Sequence, residues 1–306
     1  MSAAPLEGTS VIVVSYRTGP ALRDCVESVL AQEGLAELIV VDNGNPAESL
    51  AWLGQRALAD RRLRILSGHG NVGFAAGCNR GVAASGGAII LLLNPDCVLA
   101  EGTLSRGAAL LAGHPGAALL GGRLVNPDGS DQRGGRRHLL TPGSAIIEAL
   151  RLDRLIPGVK RVNRHEEPLP EAAIPVDCIS GAFMLMPRPV FETVGGMDEG
   201  YFLHVEDADF CLRVGRQAGS ILFAPDILVR HRQGTSAAPA ILVEWHKARG
   251  FIRYFHKHFR SSHGLAILAL VDLLVLARFA VRGLVMGLFR AMARPGLIAL
   301  PLLAIL

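Results

Sequence analysis

Aromatic side chains make up only 5% of this sequence, with three tyrosines and two tryptophans. Basic residues are interleaved with Leu, Val and Ala, and few stacking rings occur outside "FIRYFHKHF". Nucleic acid is therefore a poor partner. The five cysteines (Cys25, Cys78, Cys97, Cys178, Cys211) contain no C-x-x-C pair and leave an odd count. This pattern argues against a disulfide framework or a zinc site and for a reducing compartment. The first residues, "MSAAPLEGTS", carry neither a basic nor an apolar leader segment. A signal peptide is not expected, and the main domain should stay in the cytoplasm. No G-x-G-x-x-G follows the first apolar run, which argues against a Rossmann dehydrogenase. The apolar run "GLAILALVDLLVLA" has 14 residues, short of the roughly 20 that span a bilayer.

What is present suits an α/β enzyme. Half of the 306 residues are hydrophobic, enough for a sizeable core. The 35 glycines suit many tight loops. The β-branched or aliphatic runs "SVIVVSY", "AELIVVDNG", "LRILSG" and "AIILLLN" read as buried strands. Between them, "PALRDCVESVLAQ" starts a helix at Pro20, and "NVGFAAGCNRGVAASGG" reads as a small-residue helix entered through a glycine loop. The alternation predicts a mainly parallel sheet covered on both faces. Further strands are expected at "AALLGGRLV", "PVDCISG", "AFMLMP" and "ILVRH", and a helix at "EDADFCLRVGRQAG". The Pro-, Arg- and Gly-rich segment Gly134 to Pro175 reads as loop, with one helix near Ser144 to Leu152.

The triplet "NPD" occurs twice. In the first copy six apolar residues, Ala88 to Leu93, run into Asn94, Pro95 and Asp96. Proline cannot continue a central ladder, so the strand stops and Asp96 stands at its carboxyl rim, where open α/β sheets bind ligands. In the second copy Gly129 follows, and Asn-Pro-Asp-Gly has the residues of a β-turn. Asp128 is expected to be a turn residue.

A cluster of carboxylates lies in "GGMDEGYFLHVEDADFCLR". With a helix starting near Glu206, Asp207 shares a face with Phe210, Cys211 and Val214, and Asp209 aligns with Arg213 as an ordinary ion pair. A carboxylate on the buried side of a helix start is costly unless it is used. Asp207 is thus the candidate general base and Glu206 a positioning group. His231 ends "ILVRH". Beside Asp96, it would complete a two-residue site for Mn²⁺ or Mg²⁺.

In order along the chain, "VVSY", "IVVDNG", "NVGFAAGCNRG", "LLLNPD", "NPDGS", "SGAFMLMPR", "GGMDEGYFLHVEDADFCLR" and "HRQGTS" resemble the family 2 glycosyltransferases of the GT-A fold, especially their rhamnosyltransferase-like branch. The resemblance covers about Ser10 to Ser236. It implies inverting transfer of a sugar, L-rhamnose from dTDP-rhamnose in that branch, to a hydroxyl of a glycan or polyprenyl-linked acceptor of the cell envelope. By position it implies that Asp42 hydrogen-bonds the base and that Tyr16, Asn71, Gly73 and Asn79 line the nucleotide pocket. Asp96 and His231 take the places of the metal ligands, and Asp207 that of the base. Asn94 stands where the D-x-D pattern has its first acid, and "LHVED" lacks the aromatic that often precedes the acidic pair. A nucleotidyltransferase would want a basic, glycine-rich loop after the first strand, where "SYRTGP" offers only Arg17. A catalytically silent sugar-nucleotide scaffold would have no need of Asp96, Asp207 and His231 together.

The carboxyl-terminal segment differs in charge. From Trp245 onward nine basic residues face one acid, Asp272. The sequence divides into a catalytic domain at 1–258 and a basic, apolar helical tail at 259–306. Arg278, Arg282, Arg290 and Arg294 fall on one half of a helical wheel, for the most part opposite Phe279, Leu284, Leu288 and Met292. That pattern suits a helix on an anionic membrane face, placing the protein on the inner side of the plasma membrane. The alternatives are a homo-oligomer contact or a helix packed back on the domain.

Overall fold

The computed structural model describes residues 6–152 and 162–292. The final stretch "PGLIALPLLAIL" and Arg294 lie outside them, as does the side chain of Arg290.

The amino-terminal half alternates as the sequence predicts. Strands β1 (Leu6–Ser15), β2 (Leu35–Asp42), β3 (Leu63–Leu66) and β4 (Gly87–Leu93) are linked by helices α1 (Ala21–Leu30), α2 (Ala47–Ala59) and α3 (Phe74–Ala83). They lie parallel, in the order β3-β2-β1-β4. Both faces are covered. Ile12 and Val14 of β1 join one apolar cluster and Val11 and Val13 the other, as the period of two requires. Helix α3 is built of small residues because it lies against β1. A Cβ on Gly81 would sit 2.2 Å from Ile12 Cγ2, and one on Gly77 2.6 Å from Val14 Cγ1.

The sheet then changes hand. β5 (Cys97–Leu99), helix α4 (Thr103–Gly113), β6 (Ala117–Val125), β7 (Arg136–Arg137), helix α5 (Pro142–Ala149), β8 (Ile174–Val176), β9 (Cys178–Ile179) and β10 (Phe183–Pro187) follow. β10 runs antiparallel between β4 and β6. After helices α6 (Arg188–Thr193) and α7 (Glu206–Gln217), β11 (Ser220–His231) closes the strand order parallel to β6 and antiparallel to β5. The last strand is longer than "ILVRH", because "SILFA" also pairs with β6. The segment expected to be loop holds β7, which pairs with β9 in a small second sheet.

Two helices complete the chain, α8 (Ala240–Phe259) and α9 (Leu265–Met292). Helix α8 and the start of α9 pack on the sheet. Tyr254, Phe255, Phe259, Leu268 and Val271 all belong to one core cluster with the sheet. Helix α8 is therefore part of the catalytic domain, and α9 is packed back on it through its first two turns. The face of α9 that the wheel assigned to arginine is also partly used internally, since Arg282 Nη1 donates to Glu244 of α8 at 2.7 Å. Among the described residues no helix is long and apolar enough to cross a membrane.

Candidate active site

The carboxyl ends of β1, β2 and β4 open on the same rim of the sheet, as their parallel register dictates. At the end of β2, Asp42 is buried, and its Oδ1 accepts from the N–H groups of Gly44 and Asn45 and from Asn45 Nδ2. Every hydrogen bond it makes among the described residues uses Oδ1, which leaves Oδ2 for a ligand. Asn43 Nδ2 donates to Gly73 O, and Asn71 Oδ1 accepts from Gly73 N at 3.1 Å. Gly73 has φ +85°, and a Cβ there would lie 2.6 Å from Phe202 O. This position both turns left-handed and admits a neighbouring backbone, so glycine is required. Asp42, Tyr16, Asn71 and Gly73 thus stand around the first two strand ends. Asn79 does not join them. It lies within α3, and its amide donates to Met197 O and Glu199 Oε1 while its oxygen accepts from Met197 N, so it ties the helix to the loop before α7.

The first NPD sits one strand over. Asp96 and His231 are both buried, and His231 Nε2 lies 3.1 Å from Asp96 Oδ1 and 3.3 Å from Asn94 Nδ2. The ring is held from behind. Gln132 Nε2 donates to His231 O and to Asn126 Oδ1, so Gln132 Oε1 is the acceptor for His231 Nδ1, at 2.6 Å. That bond turns Nε2 toward Asp96. Asn126 opens the second NPD, so that triplet does reach the site, through its asparagine and two hydrogen bonds away. Asp128 remains in its turn, where Oδ1 accepts from Ser130 N and Oγ. Burial alone would raise the Asp96 carboxyl, but His231 and Thr235 outweigh it and hold it below the usual range.

A carboxylate oxygen and an imidazole nitrogen converging at this distance can share a hard divalent cation. Cys97 also lies within reach. Its thiol is pushed well up by burial and by Asp96, and it donates to Ala182 O, so it is not a third ligand. The donor set fits Mn²⁺ or Mg²⁺ completed by substrate oxygens.

The segment after β11 bridges these two groups. Thr235 Oγ1 donates to Asp96 Oδ2 at 3.0 Å, and Ser236 Oγ donates to Tyr16 O at 2.8 Å. The rim at Tyr16 and the Asp96–His231 pair are therefore parts of one surface.

The third element is the start of α7. His204 and Val205 precede it at φ +69° and +72°. Two consecutive non-glycine residues in the left-handed region, one of them β-branched, are strained by about 1–3 kcal/mol each. The strain is held in place by Phe74 N, which donates to Phe202 O, and by the Phe202 ring stacked on His246 of α8. It delivers Asp207 to Gly181 N, which donates to Oδ2 at 3.2 Å. The next residue, Ala182, accepts from Asn94 N at 3.0 Å. One dipeptide of the β9–β10 connection thus joins Asp207 to the NPD.

Asp207 has a partner that the sequence did not reveal. Arg137 Nη2 donates to its Oδ2 at 2.6 Å and to Ile179 O. Burial would raise the Asp207 carboxyl, but the Arg137 charge and the Gly181 N–H hold it below the usual range. Glu206 is the more deeply buried of the pair, and its Oε2 has no hydrogen-bond partner among the described residues. Burial and the Asp207 charge push its carboxyl well up. The two neighbours thus differ in protonation, one ionised and one favouring the neutral acid.

Asp209 corrects the expectation of an ordinary ion pair. It is fully buried, and it accepts from Tyr201, Lys257 and His258 on Oδ1 and from Arg213 on Oδ2. Helix α8 covers this side of α7, so Asp209 lies deeper than Asp207, whose side chain keeps 17% of its surface. Asp207 is set at the edge of the core, not within the apolar face.

A family model described as "Glycosyl transferase family 2" matches residues 10–195. The chain is 32% identical over 250 residues to the uncharacterized protein y4gI of Sinorhizobium fredii, covering 76% of this chain and only 25% of that one. It is 26% identical over 275 residues to N-acetylglucosaminyl-diphospho-decaprenol L-rhamnosyltransferase of Mycobacterium tuberculosis, covering 81% and 84% of the two chains. The mannosyltransferase PcManGT from Pyrobaculum calidifontis, solved with GDP-Man and Mn²⁺, superposes with a TM-score of 0.56 at 15% identity, covering 96% and 84%. Its likeness places this fold in the GT-A class. The family match sets aside the nucleotidyltransferase, and this chain belongs to glycosyl transferase family 2.

Proposed function

We propose that the protein is an inverting, divalent-metal-dependent transferase that moves L-rhamnose from dTDP-rhamnose to a hydroxyl of a lipid-linked diphosphate glycan. One observation carries the mechanism: Asp207 and the Asp96–His231 pair are joined through Gly181 and Ala182. This arrangement supports a proton acceptor and a diphosphate-binding end on one rim. The sugar and the acceptor are suggested by the Mycobacterium tuberculosis relative, whose name states both.

Asp207 accepts the proton of the acceptor hydroxyl while that oxygen forms its bond to the anomeric carbon. The bond from that carbon to the diphosphate breaks on the opposite side, which inverts the centre. Such base catalysis contributes typically ~10²–10⁴-fold. Arg137 keeps Asp207 ionised for this step. Asp42 Oδ2 accepts from the base, and Tyr16, Asn71 and Gly73 bound its pocket. Asp96 and His231 would hold a divalent ion, which would supply charge neutralisation for the departing diphosphate. Glu206 positions the start of α7 as a neutral acid.

Exposed apolar residues of α9, among them Leu284 and Leu288, support action at a membrane surface. The test is a panel of dTDP-, UDP- and GDP-sugars with Mn²⁺ or Mg²⁺ and a prenyl-diphosphate-linked glycan. Transfer from dTDP-rhamnose that stops with chelator is the expected result. Transfer from a different donor alone would replace the sugar assignment.

A further inference from the structure

Helices α5, α8 and α9 line an open groove. Its walls are apolar, with Ile146, Phe251, Phe255, Leu274, Val275 and Phe279 among them. Its rim is cationic. Lys247 and Arg282 share the single carboxylate of Glu244, at 3.6 and 2.7 Å, and Arg133 takes Glu148 at 2.9 Å. Arg278, also on the wall, has no hydrogen bond or ion pair among the described residues. Four cations thus surround two carboxylates.

The groove shares its flanking elements with the Asp207 site. On one side it begins at Leu140, three residues past Arg137, and Leu140 O accepts from Tyr254 of α8 at 3.1 Å. On the other side α8 bears directly on the strained turn before α7. A Cβ on Gly250 would lie 3.0 Å from His204 O, and the His246 ring stacks on Phe202 at 4.4 Å. Lys247 lies between those two contacts along the helix. Away from the site, α9 continues with Leu273, Leu284 and Leu288 more than 60% exposed.

We infer that this groove seats the prenyl chain of the acceptor lipid, with Lys247 and Arg278 holding its diphosphate. The inference rests on the lipid-linked acceptor proposed above. An apolar floor with a net positive rim, four cations against two carboxylates, matches an isoprenoid diphosphate in both parts. The glycan beyond the diphosphate would then reach Asp207, while the far end of the chain leaves along the exposed face of α9 toward a bilayer.

Trp245 reports on the groove, because its ring lies 5.6 Å from that of Phe279. In a full-length Trp52→Phe background it is the sole tryptophan. Farnesyl diphosphate should change its emission saturably. Val275→Phe, which fills the groove, and Arg278→Glu, an exposed change, should each weaken that binding at least tenfold. Melting temperature and nucleotide-diphosphate affinity check that the fold is intact. Farnesol and inorganic diphosphate should each bind more weakly than the joined molecule. The proposal is overturned if farnesyl diphosphate gives no saturable change, if both variants bind as the parent does, or if inorganic diphosphate binds equally well. It is overturned too if Val275→Phe dissociates a dimer with no change in probe binding, which would make the groove a contact between copies. Because the probe readout needs no turnover, it separates from the functional reading. Probe binding without sugar transfer would leave the groove and remove the transferase reading. Transfer that is indifferent to the prenyl chain, with no probe binding, would do the reverse.

Discussion

Gln132 Oε1 lies 2.6 Å from His231 Nδ1, across 99 residues of sequence, and fixes which ring nitrogen faces Asp96. Such outer partners of metal-binding histidines are worth ~10–100-fold in affinity. Gln132→Leu should therefore weaken Mn²⁺-dependent binding of a nucleotide diphosphate by about that factor. Asp96→Ala and His231→Ala should weaken it further, and Asp128→Ala should leave it unchanged. Calorimetric titration with Mn²⁺ measures all four. Equal losses for Asp96→Ala and Asp128→Ala would remove the distinction between the two triplets.

Arg137 sets the working pH of Asp207. Burial would raise the Asp207 carboxyl, but the guanidinium and the N–H groups of Gly181 and Ala208 together hold it below its usual range. The base is therefore ionised well into acid, and the acidic limb of the kcat profile should lie low. Arg137→Gln removes the largest opposition to burial, so the limb should move to higher pH. A profile that falls across the board at every pH, with its limb unmoved, would give Arg137 a purely structural role.

Glu206 makes an opposite pH signature in stability. Its carboxyl is raised in the folded state, by burial first and then by Asp207. The folded chain thus keeps a proton that the unfolded chain releases near its ordinary value of about 4.3. Stability falls as pH climbs from that value through the raised one. Glu206→Gln removes the titration, so its melting curve should gain on the parent with rising pH. Thermal melts of both proteins in matched buffers from acid to alkaline pH measure this, and parallel curves would contradict it.

Asp209 tests the reading of α8 as part of the domain. A carboxylate with no solvent exposure and four donors leaves several of them uncompensated when its charge is removed. Asp209→Asn should cost about 3 kcal/mol, in the range for breaking a buried pair. Urea unfolding measures it. A loss below about 1 kcal/mol would return Asp209 to the class of exposed pairs.

The sequence carried what local pattern can carry. "AALLGGRLV" bounds β6 to the residue, and the proline after "LLLN" ends β4 and puts Asp96 at the rim. Both follow from side-chain periodicity and from one backbone donor that proline lacks. Gln132 and Arg137 were not legible. They reach His231 and Asp207 over 99 and 70 residues, and a contact at that range leaves no spacing in the chain. Asp209 was misread for a related reason. Its i+4 partner Arg213 is visible in sequence, whereas Lys257 and His258 arrive from α8, 48 and 49 residues further on. Asn79 was carried over by resemblance of its motif, and its position inside α3 turns its amide toward Met197 instead.

The base assignment is the centre of the account, and Asp207→Asn tests it most directly. The amide keeps the shape of the side chain and cannot take the acceptor proton. On one preparation, Mn²⁺-dependent affinity for the nucleotide diphosphate and the rate of sugar transfer should be measured together. The account predicts affinity within about threefold of the parent and a turnover lower by ~10²–10⁴-fold. Turnover near that of the parent, with affinity intact, would contradict it and move the base to another residue.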